Sequence, residues 1–253
     1  MSAIDEAMTS GSVVRTGRWL CLGGATLGGI GLLGWVSGTM ALTTLGQGQP
    51  LMMPNTALAL LLIGSAGAAR HRDDVGATQR TLSVLAALVV LGIGIGTLAE
   101  YWFGVDLRID HLLVRNQTIG IARPSPLTAL ALSCLATALL LFDVRATARV
   151  RPSEWFVLCA ALMAFVGITG FMLGVAPLYR LTRVPIIGLS LPAAISLLLT
   201  STGLLLERPT AGIMRLVTSP SPGSIQLRRL VLPAVGVPVL LGLVVTRFSA
   251  AER

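Results

Sequence analysis

Seven apolar stretches, each near the length of a membrane span, dominate this chain of 253 residues. A helix needs about 20 apolar residues to cross a hydrocarbon core of about 30 Å. Hydrophobic residues make up 54% of the chain and charged residues only 12%, which excludes an ordinary soluble domain. We therefore predict an all-α, polytopic transmembrane helix bundle with about seven spans, at residues 19–43, 51–69, 82–103, 127–142, 155–173, 187–206 and 230–245.

A proline-led signature opens the second, fourth and sixth stretches. Its residues are Pro54, Asn55, Thr56, Pro126, Thr128 and Pro192. Thr56, Thr128 and Ala193 align at steps of 72 and 65 residues, so the pattern predicts three tandem helix-hairpin repeats. Proline suits a first helical turn, where its missing N–H is unsatisfied anyway, and the Asn and Thr side chains can cap the helix locally. We interpret the signature as structural.

The first stretch is rich in glycine, at Gly24, Gly28, Gly29, Gly31 and Gly34. Small residues at four-residue spacing let membrane helices approach closely. The pattern places this span inside the bundle or at a dimer interface.

Arginine supplies all 19 basic residues and gives the chain a net charge of +8. These residues lie in short segments between spans and form no basic stripe with aromatic neighbours, so no nucleic-acid partner is predicted. With the N-terminus in the cytoplasm, twelve arginines are inside and seven outside, as the positive-inside rule favours. We expect a cytoplasmic segment at 1–18, a membrane-embedded bundle at 19–246 and an extracytoplasmic tail at 247–253, with truncation before an eighth span.

Polar residues near the outer ends of the spans are the candidate site for a ligand or signal. They are Glu100, Tyr101, Asp106, Asp110, His111 and Tyr179. Glu100 ends the third span beside aromatic residues, a position that favours an interfacial anchor over a ligand site.

No chemistry of a recognised kind is predicted in this chain. The loop with Asp106, Asp110 and His111 lacks four convergent ligands at zinc-site spacing, so we predict no metal and no cofactor. The sequence contains no phosphate-binding glycine loop, nucleophile elbow or zinc-protease helix, and we expect no catalytic domain here.

Several runs of the sequence carry a family resemblance. They read YWFGVDLRIDHLL at 101–113, RPSPLTALAL at 123–132, LY at 178–179 followed by LSLPAAI at 189–195, and LLLERP at 204–209. From about residue 50 to about 242, the chain resembles the multi-spanning N-terminal membrane region of bacterial sensor histidine kinases, a region that also precedes PAS and diguanylate cyclase modules. Asp106 and Asp110 match acidic positions of that family's outer loop. The sequence departs from the pattern at Ala193, where the first two repeats have threonine.

The resemblance implies signal transduction in a bacterial cytoplasmic (inner) membrane. The bundle would sense a membrane, envelope or small-molecule cue and pass a helix movement to a cytoplasmic output, as a homodimer in the lipid bilayer. No kinase or cyclase sequence is present before residue 253, so we expect the chain to be a fragment of a longer sensor. The alternatives are a stand-alone accessory or scaffold subunit of a membrane complex and, third, a transporter, whose polar midplane residues are scarce here.

Overall fold

The computed structural model describes residues 3–45, 49–70, 76–109, 113, 123–144, 151–179, 188–208, 212–218, 224, 226 and 229–230. Its helices are α1 (Ala3–Ser37), α2 (Pro54–Arg70), α3 (Ala77–Phe103), α4 (Pro126–Leu140), α5 (Pro152–Leu173), α6 (Leu191–Leu206) and α7 (Gly212–Thr218). The described residues contain no strand, and the prediction of an all-α bundle is confirmed.

Three helices are long and apolar enough to cross a membrane: Gly11–Ser37 within α1, then α3 and α5. Two shorter apolar helices, α4 and α6, have 15 and 16 residues. The chain is therefore a membrane protein by the length and composition of its helices. The count of seven spans stays a prediction, because residues 231–245 of the seventh lie outside the described part of the chain.

The first helix differs most from its predicted bounds. It begins at Ala3, so it runs continuously through the segment that we expected to precede the membrane. It ends at Ser37, because Gly38 takes the left-handed backbone conformation with φ +73°. The six helices α1 to α6 nevertheless correspond to the first six predicted spans.

Long peripheral helices alternate with short central ones. The central helices α2, α4 and α6 contact one another, and each peripheral helix lies against two of them. The pairs are α1 with α2 and α6, α3 with α2 and α4, and α5 with α4 and α6. The peripheral helices expose large apolar side chains such as Leu33, Leu82 and Leu162, a surface suited to lipid.

The central helices run in the same direction, so their starts meet at one end of the bundle and their C-termini at the other. We call these the proline end and the arginine end. At the proline end, Ser125 accepts a hydrogen bond from the N–H of Thr128 at 3.2 Å, and Ser190 accepts one from Ala193 at 3.4 Å. The caps of α4 and α6 are thus serines immediately before each helix, and Thr128 donates to its cap instead of acting as one.

Glycines let each peripheral helix touch the first turn of the central helix that follows it. Gly28 closely approaches Ala57, and Gly94 closely approaches Ala129. Gly167 closely approaches Leu189, just before α6, and is in ordinary van der Waals contact with Ala194. All three alanines are completely buried. On α1, Gly24 also faces α6, where Ser196 Oγ donates to its carbonyl oxygen at 2.8 Å. The glycine face of α1 is therefore inside the bundle.

The contact between α1 and α2 gives a first prediction, for Gly64→Ala. A Cβ atom at Gly64 would lie 2.7 Å from Ala25 N and 2.8 Å from Cys21 O, and these backbone atoms cannot move without separating the helices. We expect a loss of about 1–3 kcal/mol in the free energy of unfolding, as for overpacked cores. Thermal unfolding in a mild detergent, followed by circular dichroism, measures it.

Gly92→Ala is the matched control, since a Cβ there meets nothing within 4 Å. Alanine favours a helix over glycine by about 1 kcal/mol, so this variant should be as stable as the parent or more so. Equal losses in the two variants would contradict the packing argument.

Candidate functional site

Glu100 is the centre of the polar structure at the proline end. It lies in the last turn of α3 with its side chain fully buried. Arg123 Nε is 3.1 Å from Glu100 Oε2, and the N–H of Leu107 donates to Oε1 at 2.9 Å. The Arg123 guanidinium also lies over the Tyr101 ring, 5.4 Å from its centroid. Glu100 therefore forms an internal ion pair with Arg123 and holds the loop after α3, and it is not the interfacial anchor that the sequence favours.

The remaining predicted residues of this loop lie farther out. Asp106 is exposed and accepts a hydrogen bond from the N–H of Arg108 at 2.9 Å. Asp110 and His111 lie outside the described residues. Asn55, from the signature on α2, reaches the same loop and donates to the carbonyl oxygen of Ile109 at 3.0 Å. The structure thus joins Glu100, Tyr101 and Asn55 to one loop at the proline end.

Tyr179 belongs to the connection between α5 and α6. It is buried, and its ring stacks on Phe171 with the centroids 3.9 Å apart. Its carbonyl oxygen accepts a hydrogen bond from the N–H of Leu189 at 2.9 Å. These contacts join Tyr179 to the end of α5 and to Leu189, so Tyr179 contributes to packing at the proline end.

The arginine end holds a charged cluster that sequence reasoning missed as a site. Asp143, in the turn after α4, has its Oδ2 2.8 Å from Arg70 Nη1 and 3.0 Å from Arg80 Nη2, and its Oδ1 3.1 Å from Arg208 Nη2. The ring of Phe142 lies under two of the guanidinium groups, 5.8 Å from that of Arg70 and 4.4 Å from that of Arg208. We call these five residues the arginine cluster.

One carboxylate therefore joins four helices. Arg70 ends α2, Arg80 is in the first turn of α3, and Arg208 follows α6. Partial burial alone would raise the pKa of Asp143, but the hydrogen bonds and charges of these arginines outweigh it and lower that pKa. Asp143 is thus ionised at neutral pH and holds the C-terminal ends of the three central helices together.

The repeat itself contains the signal for this cluster. A step of 72 residues from Arg70 falls one residue before Asp143, and a step of 65 from Asp143 falls on Arg208. These residues therefore occupy nearly the same place in successive hairpins. When the arginines are interpreted only as charges that orient the chain in the membrane, the sequence does not predict that three of them share the Asp143 carboxylate.

A second carboxylate binds the segment that follows α6. Glu154, buried in the first turn of α5, accepts a hydrogen bond from the N–H of Ile213 at 2.7 Å and lies against Gly212. The start of α7 is thereby held to the start of α5, beside the arginine cluster.

Both ends of the bundle hold charges that position helices. Among the described residues, no group of three His, Cys, Asp or Glu side chains is arranged to bind a metal. The arrangement is suited to fixing or shifting helix ends. In comparisons with known proteins, no family model, curated protein or solved structure matched the chain.

Proposed function

We propose that this chain is the membrane signal-input module of a two-component sensor histidine kinase or a related signalling protein. The observation that carries the proposal is the arginine cluster, in which Asp143 joins the ends of all three central helices. A sensor module must convert a change within the membrane into a displacement at the membrane surface. Because the helix ends share one ionic contact, the displacement of one central helix changes the contacts that hold the others in place.

The route out of the bundle supports the proposal. The chain leaves α6 through Arg208, which is bound to Asp143, and then enters α7, whose start is bound to Glu154. A relative shift of α4, α5 and α6 therefore changes the position of α7. The residues after α7 would receive that movement and pass it to the output.

We propose a multi-pass protein of the bacterial inner membrane, with the N-terminus and the arginine end in the cytoplasm. The excess of arginine in the segments on that side supports this orientation. At the opposite end Trp102 and Phe103 project outward, 86% and 73% exposed, at a position suited to an aromatic belt. The proline end would then face the envelope, where a cue arrives.

We also propose that the bundle consists of three internal repeats. Each hairpin places a glycine of its peripheral helix beside a buried alanine of its central helix, and these alanines, Ala57, Ala129 and Ala194, occupy the positions that the steps of 72 and 65 residues align. The alternation of long peripheral and short central helices follows the same division. The homodimer expected of a sensor would use the peripheral helices, whose exposed faces are apolar.

The glycine-rich span does not favour an accessory subunit. Gly24 packs against α6, Gly28 against α2 and Gly34 against residues 39–43 of the same chain, so the glycine spacing needs no partner subunit. A transporter would be favoured by charged groups at the midplane of the spans. The charges noted above, on Glu100, Asp143 and Glu154, all lie at helix ends.

The reading frame beyond codon 253 in the source genome tests the proposed function. We expect it to continue through a further apolar span into a kinase, PAS or cyclase domain. A stop codon, together with stable co-purification of the chain in a larger membrane complex, would contradict the proposal and favour an accessory subunit.

A further inference from the structure

Glu207 is a further carboxyl group at the arginine end, and it takes part in none of the contacts described above. Glu207 follows the last residue of α6 and precedes Arg208. Its Oε2 atom is buried and has no hydrogen-bond partner among the residues that the structure describes. A buried acceptor without a donor costs free energy, so this arrangement calls for an explanation.

Arg70 holds the complementary donor. Its side chain is 6% exposed, and its Nη1 is committed to Asp143 Oδ2. Its Nε atom is buried without a hydrogen-bond partner in the described part of the chain. A buried acceptor on Glu207 and a buried donor on Arg70 thus lie unused in the same charged region.

The charges around Glu207 come from several elements. The ionisable groups that act on it or are acted on by it are Arg208, Arg70, Asp143, Arg151 and the thiol of Cys21. Burial raises the pKa of Glu207 from 4.5 to about 8; the arginines oppose this rise and Asp143 adds to it. Glu207 therefore carries a proton at neutral pH and loses it in mildly alkaline solution.

We propose that Glu207 is a proton-binding site whose deprotonation makes it compete with Asp143 for Arg70 and Arg208. With the proton in place, both arginines are held by Asp143, as in the structure. Without the proton, the Glu207 carboxylate can accept a hydrogen bond from Arg70 Nε. The end of α6 then shifts relative to α4. The two arrangements bind the proton with different affinities, so a change in pH changes their populations.

This inference rests on the proposed function only in its meaning for signalling, since it makes cytoplasmic-side pH a cue for the sensor. Its physical content is a property of the chain alone. An authentic stop codon after residue 253 would remove the signalling role and leave the proton site intact. If the chain shows no response to pH, the proposed proton site is disproved and the input-module proposal is unaffected.

The sign of the effect on stability follows from the raised pKa. Between pH 4.5 and about 8, Glu207 keeps its proton in the folded chain and has lost it in the unfolded chain. The Glu207 contribution to stability is therefore complete below pH 4.5, falls as the pH rises through this window, and changes no further above it. Glu207→Gln, which mimics the protonated form, should not show this decline.

The experiment measures a distance between spin labels at Thr78→Cys, near the start of α3, and Arg215→Cys on α7, both exposed positions. Cys134 and Cys159 are replaced by alanine, and Cys21 is kept because it is fully buried. Pulsed electron paramagnetic resonance on the full chain in lipid nanodiscs gives the distance distribution from pH 6 to 9.5. We expect the distribution to shift with a midpoint near pH 8.

Glu207→Gln should abolish the shift, whereas Asp106→Asn, which neutralises an exposed carboxylate at the proline end, should leave it unchanged. An unchanged distribution across the whole pH range overturns the proposal, and so does a shift that persists in Glu207→Gln. If a labelled variant fails to fold, thermal unfolding of the unlabelled chain decides. The parent should then lose stability from pH 6 to 8 more steeply than Glu207→Gln, and parallel pH profiles would overturn the proposal.

Discussion

Glu100→Gln is expected to lower the free energy of unfolding by about 3–5 kcal/mol, the range for breaking a buried ion pair. The Glu100 carboxylate is fully buried, and Arg123 is only 17% exposed. Removing the negative charge leaves the guanidinium group with a neutral amide in a poorly solvated place. The loop after α3 also loses a strong acceptor for the N–H of Leu107. Thermal unfolding in detergent, with the midpoint followed by circular dichroism, measures the loss.

The double variant Glu100→Gln, Arg123→Gln separates the ion pair from the shape of the side chains. If the loss arises from an unpaired buried charge, removing the second charge should restore part of the stability lost in the single variant. If the effects of the two substitutions simply add, Glu100 and Arg123 do not act as a pair, and the description of the proline end is wrong.

Asp143→Asn is expected to destabilise the bundle by about 2–4 kcal/mol. Breaking a fully buried pair costs about 3–5 kcal/mol, and the 34% exposure of Asp143 reduces that cost through solvent screening. The loss stays large because Arg70 is almost fully buried and keeps its positive charge. Three guanidinium groups would then lie close together with no carboxylate from α4 between them.

Asp106→Asn is the matched control for this variant as well. It makes the same chemical change at an exposed carboxylate whose described partner is a local backbone N–H. We expect its unfolding midpoint to stay within the range of ordinary surface substitutions, about 0.5 kcal/mol. Similar losses in the two variants would mean that Asp143 does not hold the helix ends together.

The helices were predictable because their signals are local. Apolar length located α2 to α6 within a few residues, and the proline signature marked the starts of α2, α4 and α6. The start of α1 was missed because the helix continues through polar residues whose composition suggested a separate segment. A pattern of hydrophobicity locates the membrane part of a helix and not its full extent.

The ionic contacts were not predictable from local pattern, because their partners are distant in sequence. Arg70 and Asp143 are 73 residues apart, and Asp143 and Arg208 are 65 apart. Glu100 was located correctly at the end of a span, but its burial depends on the loop that folds over it. Only the repeat steps connect such positions, and they align helix ends as well as the proline starts.

The distance between the start of α3 and α7 tests most directly whether Asp143 couples the central helices to the segment that leaves the bundle. Spin labels at Thr78→Cys and Arg215→Cys in the full chain, held in nanodiscs at pH 7, report it. We expect one narrow distribution in the parent and in Asp106→Asn, and a shifted or broadened distribution in Asp143→Asn. The same narrow distribution in all three proteins would show that Asp143 does not couple the central helices to α7.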